Sequence, residues 1–275
     1  MPQKQKEITL PSGQKISAFC LGTWYLGEKE SRFSKEVALV RDAFEAGCRV
    51  FNTAEAYGNG AAQEAVGEAL ADCRKDAFVI AKTLPENHTY DALVESCEKM
   101  LERLKTDYVD LFLMHWCSDM LDLYEMYEAF CDLRAKGMIR GFGVANFDDE
   151  ELGAWVRIAA PEERGVCQTF YNLFHHGSHS RLMRLCKKNK IPVMTYFPYA
   201  TGSFVFENRT LKKMAQELGA TPQQVALAWS YTHKNNGVIY KAHRKKDVQE
   251  ALDAMNLTLS PHHEALLNAT FPLLN

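Results

Sequence analysis

A chain of 275 residues, 47% apolar and 24% charged, holds enough material for one large globular domain with a substantial core. Its net charge of −3 leaves no basic footprint for nucleic acid or an anionic membrane surface. No stretch approaches the ~20 apolar residues of a membrane span, so a small organic molecule is the expected partner.

The polar opening, MPQKQKEITL, lacks the apolar run of a secretory leader. Eight cysteines are scattered with no C-x-x-C pair, and they read as reduced core thiols of a cytoplasmic protein.

In chain order, Ile8–Leu10, the turn Pro11-Ser-Gly13 and Lys15–Ser17 predict a short hairpin, a plug beneath the main sheet. Eight apolar, strand-like runs come next: Ile16–Gly22, Val50–Ala54, Phe78–Lys82, Val109–Trp116, Ile139–Val144, Val166–Tyr171, Pro192–Phe197 and Gly237–Lys241. They are continuous runs rather than alternations, the pattern of strands buried on both faces. Helical stripes separate them. Tyr90, Leu93, Val94, Cys97, Met100, Leu101 and Leu104 fall on one face, as do Val248, Ala251, Leu252 and Met255, and Val37, Val40 and Phe44. Gly47, Gly137 and Gly219 stand where helices stop. Strands alternating with helices imply a parallel sheet, and eight units in this length imply an α/β fold closed as a (β/α)8 TIM barrel, one domain over residues 1–275. After the eighth strand only a helix and a short tail, 256–275, are expected.

The strands end in polar residues. The second runs into Asn52 and Tyr57, the third ends at Lys82, the fourth at His115, and the fifth at Ala145-Asn146. The sixth carries Gln168, the seventh Tyr196 and the eighth Lys241. Barrel sites are assembled at the C-terminal strand ends, so Tyr57, Lys82 and His115 should converge there. An ammonium beside a phenol favours the phenolate, so Lys82 is expected to lower the pKa of Tyr57. Tyr57 would then protonate a carbonyl oxygen that His115 orients. Singly, a strand-end lysine reads as a snorkelling surface group and a histidine as a core residue; their joint position on consecutive strands favours function. Trp24, Tyr25 and Trp116, at strand ends, suit the wall of an apolar substrate pocket, with core packing as the other reading. His175, His176 and His179 read as a solvated loop, with no metal site. Gly141-Phe-Gly143 lacks the third glycine of a dinucleotide fingerprint.

These segments resemble the aldo-keto reductase family over nearly the whole chain. The resemblance rests on Phe51-Asn-Thr-Ala-Glu-Ala-Tyr-Gly58, Val79-Ile-Ala-Lys-Thr83, Asp107-Tyr-Val-Asp-Leu-Phe-Leu-Met-His-Trp116 and Lys136-Gly-Met-Ile-Arg-Gly-Phe-Gly-Val-Ala-Asn-Phe147. It implies an NAD(P)H-dependent reductase of aldehydes or ketones, with Tyr57 as general acid and Lys82 and His115 as its supports. It also implies that Asn52 stands where the family has an aspartate paired with the lysine. By the same resemblance, Asn146 and Gln168 bind the nicotinamide carboxamide, Tyr196 stacks on the ring, and Lys241 with Arg244 meets the 2′-phosphate, so NADP is expected, with NAD possible. The chain departs from the family at Ala145, Phe197, Tyr199, Tyr240, Asp247 and Ala251. That clustering keeps an alternative open: a barrel whose altered cofactor pocket makes it a non-redox enzyme or a binding or regulatory protein.

Overall fold

The structure is a computed structural model that describes residues 6–176, 180–199 and 206–271. Eight parallel strands close into a barrel: β3 (Phe19–Gly22), β4 (Val50–Asn52), β5 (Phe78–Thr83), β6 (Leu111–Met114), β7 (Phe142–Ala145), β8 (Cys167–Phe170), β9 (Val193–Tyr196) and β10 (Asn236–Tyr240). β10 pairs with both β9 and β3, which leaves the barrel without an edge. Each of the eight predicted runs overlaps one of these strands, five containing it whole and those at β5, β7 and β10 missing one terminal residue, and the strands are buried along nearly their whole length, as continuous apolar runs require.

The first run divides. Lys15–Ser17 is β2, which pairs antiparallel with β1 (Glu7–Thr9), and only Phe19–Gly22 enters the barrel. The hairpin sits at the N-terminal end of the barrel. Ile8 and Ile16 are buried, and the Asn235 side chain, just before β10, exchanges two hydrogen bonds with the Thr9 backbone. The fifth run likewise reaches the barrel only at Phe142, with Ile139 making an isolated bridge to Val109.

Helices α1 (Phe33–Glu45), α2 (Ala61–Leu70), α3 (Tyr90–Leu104), α4 (Leu123–Ala135), α5 (Asp149–Ile158), α6 (Ser180–Lys188), α7 (Arg209–Glu217), α8 (Pro222–Ser230) and α9 (Lys245–Ala254) alternate with the strands or flank them. In α3 the apolar stripe is the inner face: Leu93, Cys97, Met100, Leu101 and Leu104 are buried, and Thr89 caps its first turn. The tail contains a further helix, α10 (Pro261–Thr270), rather than irregular chain. Ser260 caps it, Leu267 buries against the outer core near Trp229, and Asn268 accepts a hydrogen bond from the Trp229 indole. All eight cysteines are free thiols and six are buried, as small core residues are. Among the described residues no helix is long and apolar enough to cross a membrane.

Candidate active site

The C-terminal strand ends open into a pocket of about 550 Å³. Asn52, Tyr57, Lys82, His115, Asn146, Gln168, Tyr196, Lys241, Trp24 and Trp116 all line it, whereas Arg244 does not. The gathering comes from the strands. Asn52 closes β4, Lys82 is the penultimate residue of β5, and His115 directly succeeds β6. Tyr57 is held by the turn after β4, where Gly58, Asn59 and Gly60 all take left-handed backbone. A Cβ at Gly58 would come within 2.8 Å of the Leu26 carbonyl oxygen, so that position needs glycine for room as well as for conformation.

Asn52 is the centre of the pocket's polar cluster. Its Oδ1 accepts from Lys82 Nζ at 3.1 Å and from Gln168 Nε2 at 2.8 Å, while its side chain also hydrogen-bonds the Tyr57 phenol. Lys82 Nζ donates a second bond to the Thr53 carbonyl at 3.2 Å and lies 4.9 Å from the centre of the Tyr57 ring. The Tyr57 ring meets His115 edge-on at 5.7 Å. Lys82 is only 2% exposed, and both of its acceptors are uncharged.

That setting reverses one expectation. Burial pushes the Tyr57 phenol above its ordinary value, nearby Tyr196 adds to the rise, and the Asn52 hydrogen bond offsets part of it. Burial without an anionic partner also lowers Lys82, to about 7. The ammonium that was to acidify Tyr57 is itself half-lost near neutrality. His115 is held down to about 2, by burial first and the Lys82 charge second, so it works as a neutral imidazole. Its Nδ1 is buried without a protein partner among the described residues.

Elsewhere on the lining, Asn146 Nδ2 donates to the His115 carbonyl at 2.9 Å, and the Tyr196 hydroxyl donates to Asn146 Oδ1. The carboxamide-binding candidates thus already hold protein partners, while the Gln168 side-chain oxygen is without one among the described residues. Phe197 and Tyr199 put aromatic bulk into the pocket. Tyr25 and Phe197 are left-handed, at φ +70° and +53°, and both pack on Trp24, with ring centres at 4.0 and 4.9 Å. For bulky residues such backbone costs roughly 1–3 kcal/mol each and is typical of sites rather than of scaffolding. Lys241 Nζ rests 4.0 Å above the Tyr25 ring, poised over the rim.

Arg244 lies outside the pocket lining and is largely exposed. Its guanidinium pairs with Asp247 at 2.9 Å, and the Asp247 carboxylate also accepts the His243 and Arg244 backbone N–H groups at the start of α9. The Asp247 carboxylate, a departure from the family beside the cation expected to meet the 2′-phosphate, is therefore spent on the start of α9. Sequence reasoning missed the Thr53 carbonyl and His243: the first acts through its backbone, the second lies outside the quoted segments, and only the fold brings them to Lys82 and to the pocket lining. Gly22 is another: it lines the pocket, and a Cβ there would come within 2.8 Å of the Ile239 side chain, so that position needs glycine for room. His175 and His176 are taken up in packing, against Phe170 and through a hydrogen bond to the Phe271 carbonyl, and His179 lies outside the described residues.

A family model described as the Aldo/keto reductase family matches residues 18–269. The chain is 32% identical over 273 residues to the methylglyoxal reductase YeaE of Escherichia coli, covering 98% of this chain and 96% of that protein. An aldo-keto reductase of Mycobacterium avium is 33% identical over 260 residues, covering 93% and 86% of the two chains. Among solved structures, an aldo-keto reductase from Klebsiella pneumoniae in complex with NADPH superposes with a TM-score of 0.92 at 32% identity, covering 99% of this chain and 97% of that one. A matched family model across most of the chain, a closed eight-stranded barrel and a Tyr/Lys/His cluster at its mouth lead to one conclusion: the chain belongs to the aldo/keto reductase family.

Proposed function

We propose that this protein reduces small aldehydes or ketones with NADPH, with Tyr57 giving the proton to the carbonyl oxygen. The observation that carries the reading is the convergence of Tyr57, Lys82 and His115 on one pocket wall, with Asn146, Gln168, Tyr196 and Lys241 around the same space. The residues fit a nicotinamide cofactor. The open Gln168 oxygen and the Asn146 amide supply carboxamide partners, and the Tyr196 ring offers a stacking face. Lys241 supplies a cation for a phosphate. When bound, NADPH supplies a hydride to the carbonyl carbon.

The chain's own groups do the rest. Tyr57, kept protonated by its burial, holds the proton that the carbonyl oxygen takes as negative charge develops there. Neutral His115 has one N–H to give and fixes that oxygen without competing for the proton. Lys82, when protonated, stabilises the phenolate that Tyr57 becomes; Asn52 and Thr53 hold it in place without reinforcing its charge. Trp24 and Trp116 wall the entrance with apolar surface. The likeness to a methylglyoxal reductase makes methylglyoxal the first substrate to assay.

The test is a titration of the protein with NADPH and NADH by tryptophan fluorescence, and then NADPH oxidation with methylglyoxal. Saturable NADPH binding with substrate-dependent oxidation is expected. Absence of binding at millimolar cofactor would overturn the reading and favour the non-redox alternative raised by the aromatic residues in the pocket.

A further inference from the structure

Lys82 combines three features that hydride transfer does not need together. It is buried, its hydrogen-bond acceptors are an amide oxygen and a backbone carbonyl, and no carboxylate pairs with it among the described residues. Beyond its bond to Cε, Nζ commits one N–H to Asn52 Oδ1 and another to the Thr53 carbonyl. The remaining tetrahedral position carries an unneeded N–H in the ammonium and a lone pair in the free amine. An aspartate in place of Asn52 would hold the ammonium; an asparagine does not. The burial that lowers Lys82 to about 7 keeps a large share of it as amine at neutral pH, on the lining of a pocket of about 550 Å³.

We infer that Lys82 captures small aldehydes covalently, forming an imine through Nζ when no nicotinamide cofactor is bound. The Nζ lone pair adds to the aldehyde carbon, a C–N bond forms, and the carbonyl π pair moves to oxygen. The oxygen takes a proton while nitrogen gives one up, leaving a carbinolamine. Tyr57, held protonated by its burial, then donates to the departing hydroxyl; the C–O bond breaks, water leaves and the C=N bond closes. Nitrogen loses its remaining proton, which restores Tyr57. Nothing is oxidised or reduced, and the products are the imine and one water. Because Lys82 is so little exposed, the aldehyde must be small. The inference shares its pocket with the reductase reading but needs neither hydride nor nicotinamide.

The test treats the full-length protein, without added nicotinamide, with substoichiometric propionaldehyde and sodium cyanoborohydride at pH 7. Cyanoborohydride reduces an imine to a stable secondary amine, which peptide mass spectrometry then locates. At that pH an ordinary lysine is free amine in roughly one molecule in a thousand or fewer, and the α-amino terminus, titrating near ~8, serves as an internal reference. Lys82 should label about tenfold or more above any surface lysine. Asn52→Asp, isosteric and supplying the carboxylate, should cut Lys82 labelling by about tenfold while sparing the α-amine. Labels confined to the α-amine and surface lysines would overturn the inference, as would equal Lys82 labelling in N52D. Absence of NADPH turnover with Lys82 labelling intact would sink the reductase reading alone.

Discussion

Two buried charged residues sit at opposite ends of this barrel, and the chain treats them in opposite ways. At the floor, Asp110, just before β6, is 2% exposed and fully compensated. Arg74 and Arg140 pair with its two oxygens at 2.9 and 3.0 Å, and the Val79 N–H adds a third bond at 2.9 Å. Both guanidiniums also stack on the Tyr108 ring, at 4.3 and 3.8 Å. At the mouth, Lys82 is buried to the same degree with neutral partners alone. β6 carries Asp110 before its first residue and His115 after its last, so one strand joins the two regimes. A paired buried charge fixes structure, whereas an unpaired one keeps a proton easy to move.

The comparison breaks most visibly at Tyr57. Tyr57→Phe removes the proton and leaves the ring in place, so methylglyoxal-dependent NADPH oxidation should fall by about a hundredfold or more, the usual weight of a general acid. NADPH affinity by fluorescence should stay nearly unchanged, and unchanged turnover would exclude Tyr57 as the acid. Asp110→Asn attacks the floor instead. It leaves two guanidiniums without their buried counter-ion and should cost about 3 kcal/mol in urea unfolding, as breaking a buried pair does. The rate per folded molecule should hold within about twofold, because the floor is distant from the mouth. A variant as stable as the parent would show that the Arg–Asp–Arg cluster is not what ties β5 to β6 there.

Asn52→Asp makes the mouth more like the floor. With Lys82 at about 7, the unmodified protein loses the ammonium as pH rises through 7. Its reduction rate should therefore decline above neutrality, because less positive charge meets the developing phenolate. The aspartate raises Lys82, moves that decline to higher pH, and should increase the rate at pH 8 by up to roughly tenfold, the ratio of ammonium fractions. Steady-state profiles of the two proteins from pH 6 to 9 decide it. Superimposable profiles would mean that the lysine proton is not in the rate.

The same contrast explains what was legible in the sequence. Strand identity lay in the apolar runs, and the positions of Asn52, Lys82 and His115 at their ends were enough to bring these groups together. The direction of the pKa shift at Tyr57 was not legible, because it depends on burial, and a residue string shows neighbours in sequence rather than water excluded in space. The left-handed backbone of Tyr25 and Phe197 was hidden for a related reason: local propensity argues against it for aromatic residues, and tertiary packing on Trp24 overrides that preference. Helix α10 escaped notice because only Leu267 of its residues is fully buried, which leaves hardly any apolar period to read.

The smallest expected effect separates two cations that the sequence treated alike. Lys241 lines the pocket, and its ammonium lies on the Tyr25 ring, from which it can turn to a phosphate without breaking an ion pair. Arg244 is exposed and already shared with Asp247 at the start of α9. Lys241→Met should therefore weaken NADPH binding by roughly tenfold, the scale of one charged hydrogen bond, with NADH little affected. Arg244→Ala should change NADPH affinity by less than about threefold, since the guanidinium must leave one carboxylate before it gains a phosphate. Parallel NADPH and NADH titrations of both variants give the answer. A larger loss at Arg244 than at Lys241 would mean that the Arg244–Asp247 pair opens on cofactor binding, and that the cap of α9 belongs to the site after all.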